Sequence, residues 1–295
     1  MLLEEASKGM LRYQSEINEV LPVNADQLIR MRVFLPSPRL TYFVESYTAL
    51  VAAQPLSDSR KWHIMPDSSA YLNFHLLTTQ IQENGSGVLA LKSRLRLVGP
   101  RSVYTEINRK GRLVTILTRF KPGGAQPFLK FPINEITDSS IGIDDLWGNE
   151  GKRLLKMLTY FSSEFQLEKC IAVLEQTLLR QLKSSNPENA LLRESIRYIR
   201  FSEGNLKVSH LANHLGISER HLRNIIKSRI GLGPKQFSRV ERVTRLVRMA
   251  NSNAREGWAG LAISAGYYDQ AHMIDEFRTL IGDSPEAFVK RMKQV

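Results

Sequence analysis

Residues 211–226, LANHLGISERHLRNII, determine how the C-terminal part of this chain folds. Apolar side chains recur there at the spacing of two short helices that close on each other: Leu211, Leu215, Ile217, Leu222 and Ile225. Ala212 is small where a second helix would cross the first, and Gly216 stands where the turn between them favours a glycine. Ser218 is a good N-cap for the second helix. The stretch predicts a helix-turn-helix unit.

A second stretch, residues 261–277 with the sequence LAISAGYYDQAHMIDEF, repeats this pattern. Ala262 and Gly266 take the small and turn positions, and Asp269 is the predicted N-cap. Six residues separate Gly216 from Leu222, whereas seven separate Gly266 from Met273. The chain therefore carries two units, and the turn of the second is predicted to be one residue longer.

Each unit is followed by the same phrase, Ile-Gly-x-x-Pro-x-x-Phe, at residues 230–237 and 281–288. The glycine is predicted to end the preceding helix in the left-handed conformation. The proline is predicted to open the next helix, where a missing N–H has no consequence. The phenylalanine can pack back on the unit. These glycines and prolines are Gly231, Gly282, Pro234 and Pro285.

Positive charge is concentrated around the first unit. The chain has 41 Lys and Arg against 29 Asp and Glu, a formal net charge of +12. Residues 220–248 hold nine basic residues and one acid, Glu241, so 9 − 1 gives +8 in this window. A solvated basic surface is the alternative interpretation, but the clustering favours nucleic acid or another polyanion as partner.

The bulk composition is that of a globular chain. Its 295 residues suggest about two domains, and 42% are hydrophobic. The single cysteine, Cys170, excludes a disulfide framework and a cysteine-based zinc cluster. No signal peptide or membrane-length apolar run is recognisable, so we expect a cytoplasmic protein without a membrane partner.

Residues 34–121 have the texture of short strands separated by turns. Apolar or alternating runs lie at 41–51, 70–77, 87–99 and 113–120, and ENGSG at 83–87 is typical of a hairpin turn. This pattern predicts a small sandwich or barrel, for which a metal-free cupin-like barrel is one form.

A helical stretch is expected to begin within 120–136, and 151–183 is predicted to be helical. Apolar residues in its second half are spaced by three and four: Leu167, Cys170, Ile171, Leu174, Leu178 and Leu182. Packing on the chain's own sheet and a dimer interface explain this stripe equally well.

The predicted fold class is α+β and multidomain: a β-rich N-terminal domain with a helical tail, then an all-α domain of two helix-turn-helix units joined by a long helix at 234–250. The predicted boundaries are an N-terminal arm at 1–30, helical or poorly ordered; a sensor or dimerisation domain at 31–183; a linker, SSNPEN, at 184–189; and a DNA-binding domain at 190–295, with units at about 207–231 and 258–282.

Residues 187–295 resemble the AraC/XylS family of bacterial transcription regulators, through both units, both exits and the run AISAGYYDQAHMIDEFRTLIGDSPEAF. The resemblance implies recognition helices about one DNA turn, ~34 Å, apart. It implies double-stranded promoter or operator DNA as partner, and allows a small-molecule effector, RNA polymerase and a second copy of the chain. Residues 36–183 resemble an uncharacterised domain type often joined to such modules.

Residue roles follow from helix position and from the resemblance. The predicted base contacts are Arg220, His221, Arg223 and Asn224 in the first unit and Gln270, Ala271, Ile274 and Asp275 in the second. The predicted phosphate contacts are Ser218, Lys227, Arg229, Lys235 and Arg278. Asp275 and Glu276 depart from the family pattern. Because acidic groups repel phosphate, we expect the second unit to bind DNA more weakly. The alternative is that Asp275 reads the amino group of cytosine.

No catalytic, metal or cofactor site is predicted. His210 and His214 are spaced i, i+4, but no further soft ligand is nearby, and we interpret them as exposed helix residues. No nucleophile elbow or phosphate loop occurs. The PGG stretch at 122–124 could let the backbone approach a ligand, although a plain turn is the simpler interpretation. Four aromatic residues could line a pocket, although core packing is the simpler interpretation for them: Trp62, Tyr71, Phe74 and Phe120. An N-terminal enzyme joined to a DNA-binding module is the alternative function.

Overall fold

The structure is a computed structural model. It describes residues 17–24, 27–52, 61–75, 80–83, 94–110, 113–163, 166–182, 188–202, 206–252 and 257–293. The predicted hairpin turn at 83–87 lies almost entirely outside these residues, as do the first sixteen residues of the predicted arm.

In the described part of the N-terminal domain there are ten strands. Their bounds are β1 Ile17–Asn24, β2 Gln27–Phe34, β3 Val44–Ala52, β4 Lys61–Ile64, β5 Tyr71–His75, β6 Gln80–Glu83, β7 Leu95–Val98, β8 Thr105–Lys110, β9 Val114–Phe120 and β10 Ser140–Gly142. Seven form one antiparallel sheet in the order β1-β2-β3-β9-β5-β7-β10, and three form a second in the order β4-β8-β6. The described strands do not close into a barrel.

The strand prediction holds at the centre of the large sheet and is wrong at its edge. β5, β7 and β9 lie within three of the predicted runs, and β3 extends one residue beyond the run at 41–51. The arm predicted at 1–30 instead contributes β1 and the start of β2, which pair antiparallel. Pro22 and the neighbouring polar residues interrupt the alternation by which a strand is recognised.

Three helices follow the sheet: α1 Ile143–Trp147, α2 Asn149–Ser163 and α3 Leu167–Gln181. Short 3-10 helices at Gln126–Phe128 and Ile133–Ile136 precede them. The buried stripe of α3 joins sheet residues such as Leu72, Phe74 and Ile116 in one core. The stripe therefore packs on the chain's own sheet, which resolves the choice left open by its spacing.

The C-terminal domain is helical, as predicted. Its helices are α4 Glu188–Phe201, α5 Val208–His214, α6 Glu219–Ile230, α7 Pro234–Ser252, α8 Trp258–Ser264, α9 Gln270–Ile281 and α10 Pro285–Lys293. One apolar core gathers residues from α4 to the first half of α7, and a second gathers residues from the rest of α7 to α10. The last two residues of the predicted linker, 188 and 189, belong to α4. None of the described helices is long and apolar enough to cross a membrane.

Candidate nucleic-acid interface

The first helix-turn-helix unit consists of α5, a four-residue turn at 215–218, and α6. The Ala212 carbonyl accepts a hydrogen bond from the Ile217 N–H (3.0 Å), and Gly216 between them has a φ of +65°. This left-handed position favours glycine because it has no Cβ. The Ser218 hydroxyl then accepts from the His221 N–H at 3.2 Å and caps α6.

The second unit repeats these bonds with a five-residue turn at 265–269. The Ala262 carbonyl accepts from the Tyr267 N–H (2.9 Å), and Gly266 has a φ of +86°. The Asp269 carboxylate accepts from the His272 N–H at 2.7 Å and caps α9. The turn is one residue longer than in the first unit, as the sequence predicts.

Each unit buries its inward side chains and exposes its outward ones. Leu222 and Met273, the central apolar residues of α6 and α9, are fully buried, as are Ala212 and Ala262 where the paired helices meet. The predicted DNA-contacting residues with exposed side chains are Ser218, Arg220, His221, Arg223, Asn224, Lys227, Lys235, Ala271, Asp275 and Arg278. The half-buried ones are Arg229, Gln270 and Ile274.

Arg223 and Glu219 form an ion pair one turn apart on α6. The side chain of Arg223 is 53% exposed. The pair orients Arg223 along the helix surface toward the first turn, which is the part of a recognition helix that reads base edges.

Glu276 does not face solvent, contrary to its predicted place near phosphate. Its side chain is 6% exposed and lies between the guanidinium groups of Arg242 and Arg239 in α7. Arg242 donates to both carboxylate oxygens at 2.7 Å, and Arg239 donates at 2.9 Å. The carboxylate is neutralised inside the domain, so Asp275 is the acid that α9 exposes here.

The repeated exits end α6 and α9 and start the next helices. Gly231 has a φ of +94° and Gly282 a φ of +78°, both in the left-handed region. Pro234 and Pro285 are the first residues of α7 and α10. Phe237 and Phe288, on these new helices, are buried in the core of the unit they follow.

The exits also contact the sheet domain, which the sequence did not predict. The Thr137 hydroxyl donates to the Gly231 carbonyl at 2.8 Å. The Tyr104 N–H donates to the Leu280 carbonyl at 2.9 Å, next to Gly282. One feature of the sequence could have indicated a contact between the two domains. Glu241 is the single acid in the basic window, and it accepts a hydrogen bond from Ser68 of the sheet domain at 2.8 Å.

The histidine pair on α5 lies at the protein surface. His210 and His214 are exposed, and the His214 ring lies 3.3 Å from the Glu194 carboxylate. Hydrogen bonds from Arg197 and His214 lower the pKa of Glu194 to about 2. Across the described ranges, no three His, Cys, Asp or Glu residues are grouped so that they could hold a metal ion.

Two of the four aromatic candidates of the sheet domain are core residues. Phe74 and Phe120 are 1% exposed and belong to the main core. Tyr71 is half-buried and donates its hydroxyl to Asp67. The side chain of Trp62 lies outside the described residues. In the 122–124 turn, Gly123 has a φ of +75° and abuts Leu192 of α4, so the turn meets the helical domain.

Comparisons with known protein families divide the chain into the same two parts as the fold does. Residues 211–291 match the family described as "Helix-turn-helix domain", and residues 32–142 match "Domain of unknown function (DUF6597)". No curated protein matches the chain.

Solved structures similar to the chain include the C-terminal domain of AraT, a response regulator from Geobacillus stearothermophilus. It is 22% identical with a TM-score of 0.34, and the alignment covers 38% of this chain and 91% of that one. ToxT from Vibrio cholerae O395 is 10% identical with a TM-score of 0.46, covering 84% and 99%. The chain therefore carries a helix-turn-helix domain at residues 211–291 and a domain of unknown function at residues 32–142.

Proposed function

We propose that this chain is a sequence-specific transcription regulator whose two units enter successive major-groove segments of promoter or operator DNA. The observation that carries the proposal is the duplicated unit, with the same turn bonds and a capped recognition helix in each copy. The long helix α7 joins the copies. Two linked units can occupy one face of the DNA about one helical turn apart.

In the first unit, exposed polar side chains on α6 supply base readers. Arg220 and Arg223 have the forked donors that fit O6 and N7 of guanine, and Asn224 has the amide that fits N6 and N7 of adenine. His221 lies beside them. Lys227, Arg229 and Lys235 follow toward the end of α6 and the start of α7, where contacts to phosphate fix the register.

The second unit offers a different set of contacts. Ala271 and Ile274 present apolar groups that fit thymine methyls, and Gln270 carries an amide that fits adenine. Asp275 is exposed and can accept a hydrogen bond from N4 of cytosine. Arg278 is placed for phosphate. We propose that the units read unlike half-sites, so the operator is a direct and unequal repeat.

Selection of bound sites from random double-stranded DNA with the full-length protein tests the proposal. The selected site should contain two conserved segments separated by about one helical turn. The four Lys and Arg contacts to phosphate predict that log K falls with log salt at a slope of about −3 to −4. Binding that selects no sequence, or a flat response to salt, would contradict it.

We propose that the sheet domain binds a small-molecule effector, because its central strands carry polar groups on the face opposite the main core. Tyr71, Asn73 and His75 alternate with the core residues of β5, and Asn73 lies opposite Arg96 on β7. Among the described residues, the Asn73 Oδ1 atom is buried without a hydrogen-bond partner. Buried amide oxygens are usually hydrogen-bonded, so we propose that Asn73 accepts a hydrogen bond from the effector.

A thermal-shift screen of polar small molecules on the full-length protein tests the effector proposal. A true effector should raise the melting temperature of the parent protein, raise that of Asn73→Ala much less, and change DNA affinity. Turnover of the compound would instead support the alternative in which the domain is an enzyme. If no ligand is found and the protein elutes as a dimer in size-exclusion chromatography, the function of the domain is dimerisation.

A further inference from the structure

Three loops of the sheet domain form a bonded unit, which we call the loop platform: residues 65–69, 99–104 and 137–139. The backbones of Asp67 and Arg101 exchange two hydrogen bonds of 3.0 and 2.8 Å. The Asp138 N–H donates to the Pro100 carbonyl at 2.9 Å. The amide and hydroxyl of Ser102 donate to the Asp138 carboxylate at 2.7 and 2.6 Å. The three loops are thus held to one another by hydrogen bonds.

The platform contacts the exit of the first recognition helix. The Thr137 hydroxyl donates to the Gly231 carbonyl at 2.8 Å. A Cβ at position 231 would lie 2.8 Å from the Thr137 Oγ1 atom and 2.9 Å from the Pro100 Cγ atom. The absence of a side chain at Gly231 therefore serves both the left-handed turn and the close approach of the platform.

The platform also contacts the exit of the second recognition helix, here through a backbone N–H and an aromatic ring. The Tyr104 N–H donates to the Leu280 carbonyl at 2.9 Å. A Cβ at position 282 would lie 2.2 Å from the Cε1 atom of the Tyr104 ring. The two equivalent glycines of the duplicated phrase are both covered by the same platform.

A third contact is made with α7, the helix that joins the units. Ser68, 2% exposed, donates to Glu241 of α7 at 2.8 Å. The other oxygen of Glu241 accepts from Arg200 of α4 at 2.9 Å. Met65 packs against the core of the second unit. Both units and α7 are therefore attached to one body.

We infer that Tyr104 and Thr137 are positioning residues for DNA readout: through them the platform holds both recognition helices by their C-terminal ends and fixes the half-site spacing that the protein accepts. The inference rests on the proposed function. Arg220 and Ala271, near the opposite ends of these helices, remain exposed. The platform therefore leaves the first turns open to DNA while limiting motion of the units about α7, which reduces the ordering that binding would otherwise require.

The test compares full-length parent protein with the double variant Thr137→Val/Tyr104→Ala on the selected site. Half-site spacing is shortened or lengthened by one and two base pairs, and affinity is measured by fluorescence anisotropy. The parent should lose at least about tenfold per base pair of change, because each pair rotates a half-site by about 34° around the DNA axis. The variant should bind the original spacing about threefold to tenfold more weakly, with a flatter dependence on spacing.

Two controls separate positioning from general damage. Binding to a DNA with only the first half-site should be equal for parent and variant, because the reading face of α6 is unchanged. Thr159→Val removes a hydroxyl–carbonyl bond of the same length, 2.8 Å, within α2 and should alter nothing in spacing. Thr137→Val alone replaces the double variant if circular dichroism shows that the latter unfolds.

An unchanged spacing preference would overturn the inference. Tighter binding of the variant at every spacing would also overturn it, because the contact would then be inhibitory. A parent protein that selects no DNA at all would remove the proposed function along with this inference. If the parent selects a site and the variant shows the same dependence on spacing, this inference fails and the proposed function stands.

Discussion

Arg242 in α7 and Glu276 in α9 form a buried ion pair in which one guanidinium holds both carboxylate oxygens at 2.7 Å. The side chains are 7% and 6% exposed, and the Arg242 guanidinium also lies 4.5 Å from the centre of the Tyr267 ring. The pair ties the second recognition helix to the helix that joins the units. It therefore fixes the orientation of α9 within its own domain.

Glu276→Ala should lower the free energy of unfolding by about 3–5 kcal/mol, because it leaves the Arg242 charge buried without its main partner. Denaturant unfolding of the full-length protein followed by circular dichroism measures this change. Arg180→Ala is the matched control, since it breaks a surface pair with Glu150 (2.7 Å) and should change stability by less than about 1 kcal/mol. Equal effects of the two substitutions would show that burial adds nothing to the Arg242–Glu276 pair.

The helical spacing of the sequence indicates that position 276 faces the interior, but a glutamate there suggests an exposed position. Met273 and Phe277 define the apolar stripe of α9, and Glu276 lies three residues after the first and one before the second. Helical periodicity places position 276 at the edge of that stripe, whereas Asp275 points away from it. A carboxylate is rarely buried without a cation, and its cation, Arg242, lies 34 positions earlier in the chain.

Arg223→Ala should weaken binding to the selected site by about 1–3 kcal/mol and relax the preference at one base position. The reason is the loss of two parallel hydrogen bonds to a guanine edge, which no shorter side chain on α6 can replace. Repeating the site selection with the variant measures the relaxation. Lys227→Ala is the control: it should weaken binding to all sequences alike and lower the salt slope by about one. Loss of affinity by Arg223→Ala without any change in the selected site would make Arg223 a phosphate contact.

The two helix-turn-helix units could be predicted because every signal is local. Turn glycines, caps and the small residues at the helix crossing lie within about twenty residues of one another in each unit. The sheet was less predictable, since β9 pairs with β3 and β5, strands that lie far apart in sequence. The contacts of Tyr104 and Thr137 were not predictable, because nothing in a loop sequence states which distant backbone carbonyl it will meet.

Gly282→Ala should be more destabilising than Gly216→Ala, although both glycines have a positive φ. At Gly216 nothing lies within 4 Å of the added Cβ, so the left-handed backbone alone costs about 1–2 kcal/mol. At Gly282 the Cβ also meets the Tyr104 ring. In a Tyr104→Ala background the effect of Gly282→Ala should fall to that of Gly216→Ala, as thermal unfolding of the four variants and the parent would show.

Gly260→Ala is the control for this series. Gly260 lies inside α8 with open space around its Cβ position and no positive φ, so alanine should stabilise the helix by about 0.5–1 kcal/mol. If Gly282→Ala is equally destabilising with and without the Tyr104 ring, the platform does not press on the second exit.

Glu175 on α3 should make the free energy of unfolding fall as pH rises. Burial raises the pKa of its carboxyl group above the usual 4.5, against the lowering effect of hydrogen bonds from the Ser37 N–H and the Tyr47 hydroxyl. Between pH 4.5 and the folded pKa, the folded state binds more protons than the unfolded state. This contribution to stability is therefore complete below pH 4.5 and is lost as the pH rises through the folded pKa.

Glu175→Gln keeps an acceptor but cannot ionise, and its denaturation midpoint should fall less between pH 4.5 and 7 than that of the parent. Glu135→Gln, at an exposed position, should follow the parent curve. Parallel curves for Glu175→Gln and the parent would show that Glu175 is equally protonated in both states.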